Sequence, residues 1–228
     1  MMGPMSRPAT SSGRTGRPPL TSRAEILRAA HRLIGREGWE TLTIRRLAAE
    51  LGIGPTTLYR HIKDKEDLLV LLLNDHLDQS ERPVLPDDPK ERIVAAATAM
   101  HDVLADWPWA AEVLAVDGFI ARLDESALWM VEAVLSGASD CGCGPEQGVE
   151  LFRNLWYYTV GEILVRARSA RVVTDEERRT FVRHFDASRT PHLAAVSSRW
   201  GVVAGRDTYT AALRAFVDGL LAQATPTP

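Results

Sequence analysis

The chain has 228 residues, 45% of them apolar, and a formal net charge of −3. That is enough apolar material for one small and one medium core. Two cysteines are too few for a disulfide framework, and the longest aliphatic run, Leu68 to Leu73, is far too short to cross a bilayer.

The charge is unevenly placed. Residues 1–65 carry twelve Lys/Arg against five Asp/Glu, a net of +7, and residues 66–228 carry 15 against 25, a net of −10. A cationic front and an anionic remainder suit a chain that faces phosphate with one end only.

Residues 1–20 are rich in Ser, Thr, Gly, Pro and Arg, with no acidic residue before Glu25. Such a composition buries no core, so a flexible basic arm is expected. Arg14 and Arg17, in GRTGRPP, are suited to lie along phosphates or in a minor groove; an ordinary frayed tail is the alternative. Ser22 and Glu25 have the spacing of a capping box. The stripe Ile26, Ala30, Leu33 and Ile34 continues that helix, and Gly38 ends it.

Thr43 is an N-cap for a helix from Ile44 to Leu51, whose Leu47, Ala48 and Leu51 share a face. Gly52 supplies a left-handed turn, Ile53 anchors it, and Gly54-Pro55 opens a helix to about Ile62. In that helix Leu58 and Ile62 are four apart and face inward. Thr56, Thr57, Tyr59, Arg60 and His61 are left for the outer face, with hydroxyl, phenol, guanidinium and imidazole groups for base edges and phosphates. The layout is a helix-turn-helix, whose second helix is shaped for the major groove.

From about Leu20 to Leu73 the sequence resembles the TetR family of bacterial transcriptional regulators, most specifically in LTIRRLAAELGI and TTLYRHIKDKEDLL. The resemblance implies an all-α fold: a three-helix DNA-binding head followed by a larger helical ligand-binding and dimerising body. It implies that Arg45, Thr56, Thr57, Tyr59, His61 and Lys65 stand where members commonly touch double-stranded DNA. Arg60 and Gly54 fall at positions that vary and so help set the operator. The expected organisation is an arm over 1–20, a DNA-binding domain over 21–66 and a body over 67–228.

In the body, a helix from Asp64 to about Ser80 carries the block Leu68–Leu73, and PVLPDDP follows as a joint. Asp88-Pro89 starts a helix to about Ala105. Trp107-Pro108-Trp109 opens a short one. Leu123 to Leu135 forms another, ended by Gly137, and a long apolar helix runs from Pro145 to about Arg168. Thr174 with Glu177 caps a short helix, and the last runs from about Asp207 to Ala222.

Aromatic side chains between helices either fill a core or line an apolar cavity. The resemblance favours a cavity, with Met100, Trp107, Phe119, Trp129 and Trp156 as lining and His101, Asp117 and Glu162 as polar contacts. The position matching the magnesium-holding histidine of tetracycline-responsive members is Trp107, so a metal-chelated ligand is not expected. The long helix and the last one (Leu151, Leu155, Trp156, Val160, Ile163, Leu164; Leu213, Phe216, Val217, Leu220, Leu221) either centre the body or pair with a second copy. The resemblance favours pairing.

The expectation is a ligand-responsive repressor, homodimeric and cytoplasmic, without cofactor, metal or membrane attachment. No Ser/His/Asp constellation or phosphate-cradling glycine loop supports an enzyme. The alternatives are a regulator answering to a protein partner or to oxidation of Cys141 and Cys143, and, more remotely, a helical enzyme.

Overall fold

The computed structural model describes residues 22–79, 81–115, 118–169, 176 and 185–224. Among them every regular element is helical, and contacts separate them into one unit ending at Asp64 and another beginning at Lys65. Arg14, Arg17, Asp117 and the proposed cap of Thr174 and Glu177 lie outside the described residues.

The head contains α1 (Arg23–Glu37), α2 (Ile44–Glu50) and α3 (Pro55–Leu58). The capping box forms: Glu25 N donates to Ser22 Oγ at 3.2 Å, and Ser22 N donates to the Glu25 carboxylate at 2.8 Å. Ile26, Leu27, Ala29, Ala30 and Leu33 make the buried face of α1, and Gly38, at φ 82°, closes it through its N–H to the Ile34 carbonyl. The Thr43 hydroxyl accepts from Arg46 N at 3.2 Å, starting α2. Ion pairs tie α1 to α2: Glu50 holds Arg36 at 2.9 Å and Arg32 at 3.7 Å, and Glu37 holds Arg46. The Arg36 hydrogen bond is the main reason the Glu50 carboxyl lies below its usual range.

The body contains α4 (Lys65–Gln79), α5 (Pro89–Ala105), α6 (Pro108–Leu114), α7 (Glu125–Asp140) and α8 (Pro145–Ser169). A 3₁₀ turn at Phe119–Arg122 lies between α6 and α7. After α8 come two short helices, α9 (Pro191–Val196) and α10 (Trp200–Ala204), and then α11 (Tyr209–Ala224). Helix α5 is central, touching α6, α7, α8 and α11.

Gly137 does not end α7. It is buried inside the helix, where a Cβ would stand 2.7 Å from Ile93 Cγ1 and 2.8 Å from the Pro89 carbonyl oxygen. The glycine is there because α5 and α7 cross too closely for a side chain, and α7 runs on to Asp140. The left-handed residue after it is Gly142, at φ 89°. Helices α9 and α10 were not anticipated; they are short and mostly exposed, so they lack the apolar periodicity by which a helix is recognised.

The apolar residues of α8 and α11 singled out above are largely consumed inside the body. Leu151, Leu155, Trp156, Val160, Ile163, Leu213, Val217 and Leu221 are buried. One buried polar contact joins three helices: Tyr209 Oη on α11 lies 2.8 Å from Thr159 Oγ1 on α8 and donates to the Ala97 carbonyl of α5 at 3.3 Å. Burial pushes the Tyr209 phenol well above its ordinary value, with the Thr159 bond acting against that.

Candidate functional site

The helix-turn-helix is built on few buried side chains. Leu47 and Ala48 of α2 are buried, Gly52 takes φ 67°, and Ile53 N donates to the Ala48 carbonyl at 3.0 Å to lock the turn. Gly54 caps α3 without a side-chain bond, and Pro55 takes the first helical position, where a missing N–H costs nothing. Regular α-helix stops at Leu58, short of the expected Ile62. The chain tightens instead, with Arg60 N donating to Thr57 O and His61 N to Leu58 O, before Ile62 N closes a last turn on Leu58 O at 3.1 Å.

This tightening preserves the expected facing. Leu58 is 0% exposed and Ile62 2%, while Tyr59 is 54% exposed and Thr56, Thr57, Arg60 and His61 are exposed as well. Among the described residues none of these five outer side chains makes a hydrogen bond, ion pair or ring contact within the chain. Their donors and acceptors are therefore uncommitted. Arg45 is exposed on α2. Lys65 is half-buried at the start of α4, in the second unit, and is already engaged within the chain.

The body holds a small cavity of about 30 Å³, lined by thirteen apolar side chains contributed by α4 to α8 and the segments between them. Of the five lining residues expected, Met100, Phe119 and Trp156 are there, with Phe119 and Trp156 stacked at 4.5 Å between ring centroids. Trp107 and Trp129 are not. Trp107 stacks on Trp109 at 5.5 Å and lies 4.8 Å from the His76 ring, because Pro108 starts α6 and turns the indole away from the cavity. Trp129 is half-buried on a face of α7 other than the one carrying Ala127 and Met130. Leu73, Leu77, Leu104, Leu114 and Phe152 also line it; aliphatic side chains carry no mark in a sequence that separates lining from core.

The polar candidates are occupied elsewhere. His101 Nε2 lies 2.9 Å from Glu162 Oε2 and Nδ1 lies 3.1 Å from Asp102 Oδ1, while the ring stacks on Tyr209 at 3.9 Å. Glu162 also holds Arg166. None of these side chains is in the cavity lining. Cys141 is half-buried and Cys143 buried, and burial raises both thiols above their ordinary value, which disfavours the reactive thiolate.

Comparison with known proteins bears directly on the head. Residues 26–72 match the family model described as bacterial regulatory proteins, tetR family. Over that stretch, the helix-turn-helix head and the start of α4, the chain is similar to that family. An HTH-type transcriptional regulator of Staphylococcus aureus (strain USA300) is 47% identical over 57 residues, which are 25% of this chain and 31% of that protein. The chain thus matches less than a third of the relative's length, and the body lies largely outside the match.

Two solved structures extend the likeness in fold over most of the chain. One is ActR of Streptomyces coelicolor in complex with actinorhodin, at TM-score 0.71 and 22% identity, covering 91% of this chain and 98% of that one. The other is BioQ with its double-stranded DNA operator, at TM-score 0.60 and 22% identity, covering 89% and 99%. At these identities they establish the helical architecture and nothing about ligand or operator. No helix among the described residues is long and apolar enough to cross a membrane.

Proposed function

We propose that this chain is a ligand-responsive transcriptional repressor that binds a pseudo-palindromic operator as a homodimer and releases it when a small apolar effector enters the body. The observation that carries the DNA-binding reading is the division of the segment from Pro55 to Ile62. Two apolar side chains are buried there, and five hydrogen-bonding side chains are exposed with no partner of their own. Side chains without a partner in the chain bond water and can exchange it for base edges or phosphate, here on an element short enough to enter a groove. Arg45, Tyr59 and His61 are assigned to the backbone and Thr56, Thr57 and Arg60 to base edges and positioning, with Lys65 and the arm residues Arg14 and Arg17 as further phosphate contacts.

The dimer reading is supported by the face of α8 and α11 left over after the core is made. Val149, Tyr157 and Val165 are left exposed along α8, at 58%, 61% and 66%. Ala211, Ala215, Gly219 and Ala222 form an exposed small-residue face on α11, and α8 and α11 pack against each other. Exposed apolar side chains on one helix beside a closely approachable face on the other suit a four-helix interface with two-fold symmetry. Two heads reading half-sites one helical turn apart would then give specificity that a single short helix lacks.

The effector reading is supported by the apolar cavity and by chain order, since α4 both contributes Leu73 and Leu77 to the cavity and begins at the residue after the head. An effector bound about 100-fold better by the released form would shift the balance by roughly 2.7 kcal/mol per site. Gel-shift titration of the dimer against genomic fragments, over a salt series, tests the core of the proposal. Sequence-preferring binding that weakens as salt rises is expected; purified dimer that ignores all fragments at low ionic strength would overturn it.

A further inference from the structure

The cavity is lined without a single charged or hydroxyl side chain, and its volume of about 30 Å³ is that of a site for one water rather than for an organic molecule. Its walls come mainly from long helices. Phe119 is different. It stands on the four-residue 3₁₀ turn Phe119–Arg122, whose other members Ile120, Ala121 and Arg122 are exposed, so the turn lies at the surface and sends one ring inward. Gly118, at φ 80°, makes the bend from which that ring enters. The ring is 9% exposed and lies face to face with Trp156 of α8.

Resting on the reading of the body as an effector site, we infer that Phe119 is a built-in occupant of that site, and that the effector is an uncharged aromatic molecule that takes its place on Trp156. The chemistry follows from the walls. A charged ligand would lose its hydration and find no counter-charge or hydrogen bond among the lining side chains. A flat neutral ring loses almost no hydration and recovers the stacking on Trp156 that Phe119 gives up. The volume is consistent with this exchange: an apolar cavity of about 150 Å³ suffices for benzene, and vacating the Phe119 ring enlarges the existing space toward that size. The surface position of the turn supplies the exit, since Phe119 can leave without unpacking a long helix.

The Phe119 side chain is chemically a toluene, which gives a direct test. Full-length wild type and Phe119→Ala are titrated calorimetrically with toluene and with benzoate at neutral pH, and thermal unfolding is followed in parallel. Toluene is expected to bind Phe119→Ala about tenfold tighter than wild type, or better, and to raise its Tm, because only the wild type must expel its own ring first. Benzoate is expected to bind neither. Equal toluene affinity for the two proteins, or benzoate matching toluene, overturns the inference. Should Phe119→Ala fail to fold, Phe119→Leu takes its place, with a smaller gain in the same direction expected and no gain overturning the idea. Operator binding is measured separately: toluene that fills Phe119→Ala as expected yet leaves operator affinity unchanged upholds this site and removes the regulatory reading.

Discussion

In the head, the residues from Thr56 to His61 stand exposed around two buried apolar anchors, their hydrogen-bonding groups uncommitted within the chain. In the body, the cavity side chains are apolar and mostly buried around a space of about 30 Å³. One region keeps its polar capacity in reserve, and the other gathers apolar side chains around an interior space. Binding energy in the head is therefore stored on side chains whose removal leaves the fold untouched. In the body every candidate ligand contact is also a packing contact, so function and stability cannot be separated there by deletion alone. This difference decides which measurement reports on which region.

Five substitutions, one of them followed over a pH series, press on that contrast. Trp156→Ala removes the buried indole under Phe119 and should destabilise the protein by about 3–5 kcal/mol. Denaturant unfolding measures this, and a loss below about 1 kcal/mol would mean the cavity wall collapses readily around the gap. Leu58→Ala deletes the anchor of α3 and should cost about 2–5 kcal/mol in the head. Operator binding should be lost in a gel shift while the Tm of the body changes little; intact binding would place the recognition surface elsewhere.

Tyr209 bears on the body's polar joint. A phenol whose folded-state pKa is raised contributes stability that is complete below the unfolded value of about 10 and is lost as pH rises through the folded one. Unfolding free energy should accordingly fall above about pH 10. Tyr209→Phe should abolish that part of the fall, at a cost of about 1–3 kcal/mol below it, because Thr159 is left buried without its partner. Chemical denaturation from pH 7 to 11 compares the two proteins.

Arg60→Ala, on the other side of the contrast, should leave unfolding unchanged and alter operator preference by about 1–3 kcal/mol at one base pair per half-site. A panel of single-base operator variants reads this out, and a uniform loss across the panel would reassign Arg60 to the backbone. The smallest effect is expected for Thr43→Ala, which removes the N-cap of α2 at a cost of about 1 kcal/mol. Helix loss confined to the head, seen by amide exchange at Arg46, is its signature.

The head was legible in the sequence because each of its devices is local. Ser22 and Glu25 cap across three residues, Thr43 caps α2, Gly52 takes a positive φ, and the four-residue step from Leu58 to Ile62 sets the inward face even though regular helix stops at Leu58. Uneven charge along the chain belongs to the same category, needing no coordinates at all.

The body's function was not legible in this way. Gly137 reads as a helix end in sequence and proves to be a crossing point, since the Ile93 side chain and Pro89 carbonyl that demand it lie more than forty residues away. Likewise Trp107 and Phe119 are equally plausible lining residues as letters, and only the turn at Pro108 and the bend at Gly118 send one indole away and one phenyl ring inward. Sequence alone determined the helical class, the element order and the outer face of the recognition segment, because backbone hydrogen bonding and side-chain period act over a few residues. Tertiary structure alone decided which apolar side chains surround the remaining empty space, because close packing is settled among residues brought together from several helices at once.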